Sequence, residues 1–147
     1  MIAPMRAARR HLVAGLAAAA LLGGGASSAA GYVQFTTPSG NIGCAGDRTE
    51  VRCDIARTSA TPPKKPKTCR FDWGHAYVIT AKGKRGRGLC ASDTVLPSPG
   101  QPGVRTIRYG KRIRLGRIVC NSRRSGFTCR NAGGHGFMLS RERIRLF

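Results

Sequence analysis

Apolar and polar positions alternate in short runs along this chain, and one such pattern occurs twice. Ile42-Gly43-Cys44 leads to Val51-Arg52-Cys53, and Ile118-Val119-Cys120 leads to Phe127-Thr128-Cys129. In each copy the two cysteines stand nine positions apart, and an apolar residue lies two positions before each. A period of two is that of a strand with one face buried. The pattern predicts a β-hairpin whose own strands are stapled together, used twice. If Cys44 faces Cys53, Gly46 faces Val51, and Asp47 to Glu50 forms the loop. In the second copy Arg123-Arg124-Ser125-Gly126 is the loop, and Gly126 suits a positive φ.

Further strands are predicted at Tyr32–Thr36, Ala76–Thr80, Arg112–Leu115, Gly136–Ser140 and Arg143–Phe147. Pro38-Ser39-Gly40-Asn41 reads as a turn. Arg57–Thr68, with three prolines, and Pro97–Gly103 read as loops, because proline removes ladder donors. No segment after residue 30 has a helical period. The expected fold is all-β: a small antiparallel sandwich or barrel of disulfide-stapled hairpins.

Residues 1–30 read differently. Arg6, Arg9, Arg10 and His11 precede an apolar run, Leu12 to Leu22, which is too short to span a bilayer. Small residues follow up to Ala30. This predicts a cleaved export signal, with Arg9-Arg10 compatible with a twin-arginine or a general secretory route. The mature protein would then be a single disulfide-rich β domain, residues 31–147, secreted or associated with the cell envelope.

Composition sharpens this picture. Without Arg6, Arg9 and Arg10, 23 of the 26 Lys and Arg remain against 6 acidic residues, a net charge of +17. Val, Ile, Leu and Phe make up 23 of those 117 residues. So small an apolar share with so much charge is close to the composition of disordered chains. The six cysteines offset it, since an even count in a small exported domain implies a disulfide framework. Of the fifteen possible connectivities, neighbour pairing is expected: Cys44–Cys53, Cys69–Cys90 and Cys120–Cys129. Facing residues at a non-hydrogen-bonded antiparallel site have Cα atoms about 4.5 Å apart, within disulfide range.

The charge also suggests a function. Arg112 and Arg114 share one strand face; Arg141, Arg143 and Arg145 share another; Lys82, Lys84, Arg85 and Arg87 cluster at a glycine-rich turn. Their combined potential favours an anionic polymer or membrane surface, and arginine on ordered strands suits phosphate or carboxylate. Sequence-specific nucleic-acid binding is not expected: aromatics are few, and Tyr109 alone lies between basic residues in the way a stacking platform requires. His75 and His135 could serve as acid and base in phosphodiester cleavage if both reached one phosphate. An inhibitor or protein-binding module is a further alternative. Cysteine steps of nine do not match zinc spacing, so neither metal nor cofactor is expected, and no nucleophile elbow or phosphate-cradling loop is present.

Several runs resemble a known family. They are Phe35-Thr36-Thr37-Pro38-Ser39-Gly40-Asn41-Ile42-Gly43-Cys44, Arg52-Cys53-Asp54-Ile55, Cys69 with Asp72-Trp73-Gly74, Tyr109-Gly110, Gly126-Phe127-Thr128-Cys129-Arg130-Asn131 and Gly134-His135-Gly136-Phe137-Met138-Leu139-Ser140-Arg141. Together they resemble a domain-of-unknown-function family of small exported actinobacterial proteins. The resemblance implies export, one domain and the six-cysteine frame. It implies no activity, and the arginine load departs from it.

Overall fold

The computed structural model describes residues 31–147; the export signal expected at residues 1–30 lies outside them. The first half of the described chain forms strands β1 (Val33–Thr36), β2 (Ile42–Gly46), β3 (Glu50–Ile55), β4 (Asp72–Thr80), β5 (Arg87–Ala91) and β6 (Arg105–Thr106). The second half forms β7 (Arg112–Leu115), β8 (Ile118–Arg123), β9 (Gly126–Asn131), β10 (Gly136–Leu139) and β11 (Ile144–Leu146). They make two sheets, ordered β5-β4-β3-β2-β1-β6 and β11-β10-β9-β8-β7. The fold is all-β and sandwich-like, with no closed barrel. Every pairing is antiparallel except that of β6 with β1.

Both stapled hairpins form in the expected register, with Cys44 opposite Cys53 and Cys120 opposite Cys129. Each pair has Cα atoms 4.0 Å apart and carries a disulfide, and Cys69–Cys90 is the third. The repeat extends beyond the hairpins. Phe35 pairs with Cys44 and Cys53 with Tyr77, so one inward row crosses four strands of the first sheet. Ile113, Cys120, Cys129 and Phe137 make the equivalent row in the second. The rows meet face to face. Cys53 Sγ lies 3.8 Å from Cys129 Sγ, the Tyr77 and Phe137 rings are 6.5 Å apart, and Phe35 packs on Phe127 at 6.1 Å. All of these side chains are buried.

The two hairpin turns differ. Asp47 Oδ1 accepts hydrogen bonds from the Thr49 amide (2.7 Å) and the Glu50 amide (3.2 Å), closing the first turn with its own side chain. The second relies on Gly126, at φ 145°, where a Cβ would come within 2.9 Å of the Leu139 carbonyl.

The two loops are more ordered than their composition predicts. In the first, Trp73 Nε1 donates to the Pro63 carbonyl (2.6 Å) and the Ser59 amide to the Arg141 carbonyl (2.7 Å). The second must carry the chain from β5, at one edge of the first sheet, to β6 at the other. It does so as a strap over the outer face. Thr94 Oγ1 and the Val95 amide donate to Asp54 on β3 (both 3.0 Å). Leu96 and Pro97 lie on Gly43 of β2, where a Cβ would stand 2.6 Å from Pro97 Cδ. Gln101 Nε2 donates to Gln34 Oε1 on β1 (2.7 Å). The crossing also explains why β6 is parallel: it reaches the far edge running in the direction of β1.

Two outcomes follow from this core. Replacing Cys44 and Cys53 together by Ala is expected to lower stability by roughly 3 kcal/mol, the chain-entropy contribution of a ten-residue loop, plus a cavity term; urea denaturation measures it. Burial pushes the Tyr77 phenol up to about 12 from 10.0. The folded protein favours the neutral phenol, so this contribution is complete below pH 10 and is lost as pH rises toward 12. Absorbance titration is expected to show Tyr77 ionising only near 12, together with loss of the fold.

Candidate functional site

Because the cysteines of β8 and β9 point inward, the residues that alternate with them along each strand point outward. The ladders place Arg112, Asn121, Thr128, Met138 and Arg145 in one row across the outer face of the second sheet. Arg114, Val119, Arg130 and Gly136 form the next row. Arg123 follows at the end of β8, and Arg117 stands in the turn between β7 and β8. These arginines are exposed. Arg114, Arg117, Arg123 and Arg130 border an open depression of about 570 Å³ whose floor includes Val119, Asn121 and Thr128.

No acidic residue lies on this face. Asp47, Glu50, Asp54, Asp72 and Asp93 belong to the first sheet or its loops, and Glu142 to the turn between β10 and β11. Among the described residues the ion pairs are those of Arg52 with Asp54 (2.8 Å) and Asp93 (2.9 Å). None of these ion pairs involves an arginine of the second sheet.

The expected anion-binding residues divide into groups. Arg112, Arg114 and Arg145 lie on this face. Lys82, Lys84 and Arg85 are exposed on the turn between β4 and β5, which docks against the second sheet, and Arg87 is exposed at the first position of β5. The Gly86 amide donates to the Phe147 carbonyl (3.1 Å), and Asn131 Nδ2 to the Thr80 and Gly83 carbonyls (3.0 and 2.7 Å). Phe147 also carries the Arg130 guanidinium over its ring at 5.2 Å, so it joins the turn to the arginine face. Arg141 and Arg143 do not extend a strand face with Arg145, because β11 starts at Ile144. Ser140 and Arg143 close a turn there, with the Ser140 amide donating to the Arg143 carbonyl (2.8 Å). Arg117, Arg123 and Arg130 are the additions to the face, and inward cysteines at 120 and 129 are the sequence signal that locates Arg123 and Arg130.

Arg141 borders a smaller cavity of about 230 Å³ with Thr37, Ser39, Asn41, Tyr109, Arg123 and Arg124. Its polar groups are largely committed to structure. Asn41 Nδ2 donates to the Arg57 carbonyl and its Oδ1 accepts from the Arg57 amide (both 3.0 Å), and Ser140 Oγ accepts from the Arg143 amide (3.0 Å). Arg124 lies over the Tyr109 ring at 5.1 Å, so that face is not free to stack on a base.

The histidines are not brought together. His75 borders a depression of about 650 Å³ on the first sheet with Asp54, Asp72, Trp73 and Asp93, and its Nδ1 is 3.2 Å from the Ile55 carbonyl. His135 sits in the turn between β9 and β10, beside Asn131, which binds the far end of β4 at Thr80. Five residues of β4 separate the two sites, about 17 Å at strand rise. The carboxylates near His75 hold the strap. Arg52, by hydrogen bond and by charge, keeps the Asp93 carboxyl below its ordinary 3.8. Asp54 accepts from Arg52 Nε and Nη2, Thr94 and Val95. Among the described residues no group of three or more His, Cys, Asp or Glu could hold a metal.

A family model described as a family of unknown function (DUF6636) matches residues 15–147. No curated protein and no solved structure gives a match.

Asp54→Ala removes the acceptor of Thr94 Oγ1 and the Val95 amide and leaves the half-buried Arg52 with Asp93 as its one remaining carboxylate. It is expected to cost roughly 3 kcal/mol, read by thermal denaturation, and to expose the 92–104 strap to limited proteolysis.

Proposed function

The chain belongs to the DUF6636 family, a family of unknown function, and we propose from its own surface that it is a secreted, non-catalytic protein that binds an anionic component of the cell envelope or extracellular space. Residues 1–30 act as the export signal in this reading, and residues 31–147 as the mature domain. Three disulfides fit an oxidising compartment.

One observation carries the reading: the outer face of the second sheet bears Arg112, Arg114, Arg123, Arg130 and Arg145 with no acidic residue among them. A face of one sign concentrates counter-ions and speeds their capture. The strap covers the outer face of the first sheet and leaves the arginine face bare. The strands fix where the arginines emerge, and the planar guanidinium fork loses less rotamer freedom per hydrogen bond formed than an ammonium does.

A protein-binding reading draws less support. Among the described residues the exposed large apolar side chains are Tyr32 and Phe71, and neither lies on the second sheet. A two-histidine hydrolase would need both rings at one phosphate, and they occupy different sites.

Residues 31–147 are expected to sediment with vesicles containing an anionic phospholipid or with purified envelope, and the bound fraction should fall steeply between low and high salt as the Debye length shrinks from about 30 Å at 0.01 M to about 3 Å at 1 M. Binding that is indifferent to salt, or absent at low salt, would end this reading.

A further inference from the structure

The arginine face has a direction. Along β8, outward positions 119, 121 and 123 follow one another at about 7 Å, two residues of strand rise. Arg114 on β7 and Arg130 on β9 flank Val119, with their backbones about 10 Å apart across two strand spacings. Arg117 stands before this pair and Arg123 beyond it, so cationic groups border the depression at both ends and on both sides. Between them Asn121 and Thr128 face each other in the ladder, and their side chains make no hydrogen bond within the described residues. Unlike the hydroxyls of the smaller cavity, these groups remain free for a ligand.

We propose that this depression is a trough for a linear phosphodiester chain, laid along β8 with successive phosphates between the arginines. The proposal rests on the electrostatic reading above and names its ligand. A concave site with charge on both walls suits a thread better than a plane. A bilayer would instead meet a face on which the apolar members, Val119 and Met138, are half-buried and no large side chain is placed to insert. Guanidinium forks donate to two non-bridging oxygens at once, while Asn121 and Thr128 supply neutral donors. The two aromatic rings beside the arginine clusters, Tyr109 and Phe147, are each covered by a guanidinium, of Arg124 and Arg130. Phosphates are therefore read and bases are not.

The test is titration of residues 31–147 with poly(glycerol phosphate), with a mixed-sequence single-stranded oligonucleotide of equal phosphate count, with polyglutamate of equal charge, and with phosphatidylglycerol vesicles. Both phosphodiester polymers should bind alike and more tightly than polyglutamate. Arg114→Gln with Arg130→Gln should weaken polymer binding at least about tenfold, the scale of two charge-assisted hydrogen bonds, and Arg114→Lys with Arg130→Lys should recover only part. Lys64→Gln with Lys67→Gln, the same loss of charge on the proline loop, should change it little. Circular dichroism checks that each variant is folded. Equal losses in the Arg114/Arg130 and Lys64/Lys67 variants would overturn the trough and leave bulk electrostatics standing. Vesicle binding that is tighter than polymer binding at equal phosphate, and unaffected by Arg114 and Arg130, would assign the face to a membrane. Absence of salt-sensitive binding to every probe would remove both proposals.

Discussion

The contact of Cys53 with Cys129 organises the rest of the structure. Each sheet brings one disulfide to the middle of its inner face, and the two sulfurs meet at van der Waals distance. Around this contact the core needs few side chains. Tyr77 and Phe137 close one end, and Phe35 packs on Phe127. A chain with an apolar share this small lacks the residues to fill a broad sandwich interior. Pairs of cystines supply dense, fully buried apolar volume and at the same time restrict the unfolded chain. Two functions that are usually separate, packing and cross-linking, are met by the same four residues.

With the inner faces fixed by the cystines, the outer faces take different fates. In the first sheet the chain must return from edge to edge, and the strap that does so covers the outer face and consumes three of its polar groups, Gln34, Arg52 and Asp54. The second sheet is a plain meander with short turns, so no described segment crosses it. The carboxylates follow the same division: Asp54 and Asp93 are tied up with Arg52 under and beside the strap, while the arginines of β7 to β11 stay unpaired. The asymmetry in charge and the asymmetry in cover have one topological origin.

The first half of the candidate site was legible in the sequence and the second half was not. Arg112 and Arg114 alternate with Ile113 and Leu115 on an edge strand, a pattern that needs no neighbour to interpret. Arg123 and Arg130 flank cysteines on separate strands, and their common face depends on which way the cystine points. Arg141 and Arg143 alternate as well as Arg145 does, yet the Ser140 turn takes them off the strand. Alternation alone does not distinguish a strand from the turn that leads into it. The turn at Lys82–Gly88 was visible as a cationic glycine loop, but its docking on Phe147 was not, because that contact joins residues about sixty positions apart through backbone groups.

The sequence by itself determined the strand periodicity, the two stapled hairpins with their register and disulfides, and the excess of positive charge. These are local facts: they depend on spacing within a hairpin, where nine positions bring two cysteines opposite each other. The tertiary structure decided the rest. It set the two cystines against each other, extended the hairpin repeat to a four-strand row in each sheet, turned the 92–104 loop into a strap and left one sheet face clear of it. Those outcomes depend on which sheet packs on which and on the path between their edges, and neither is encoded in the spacing of any single segment.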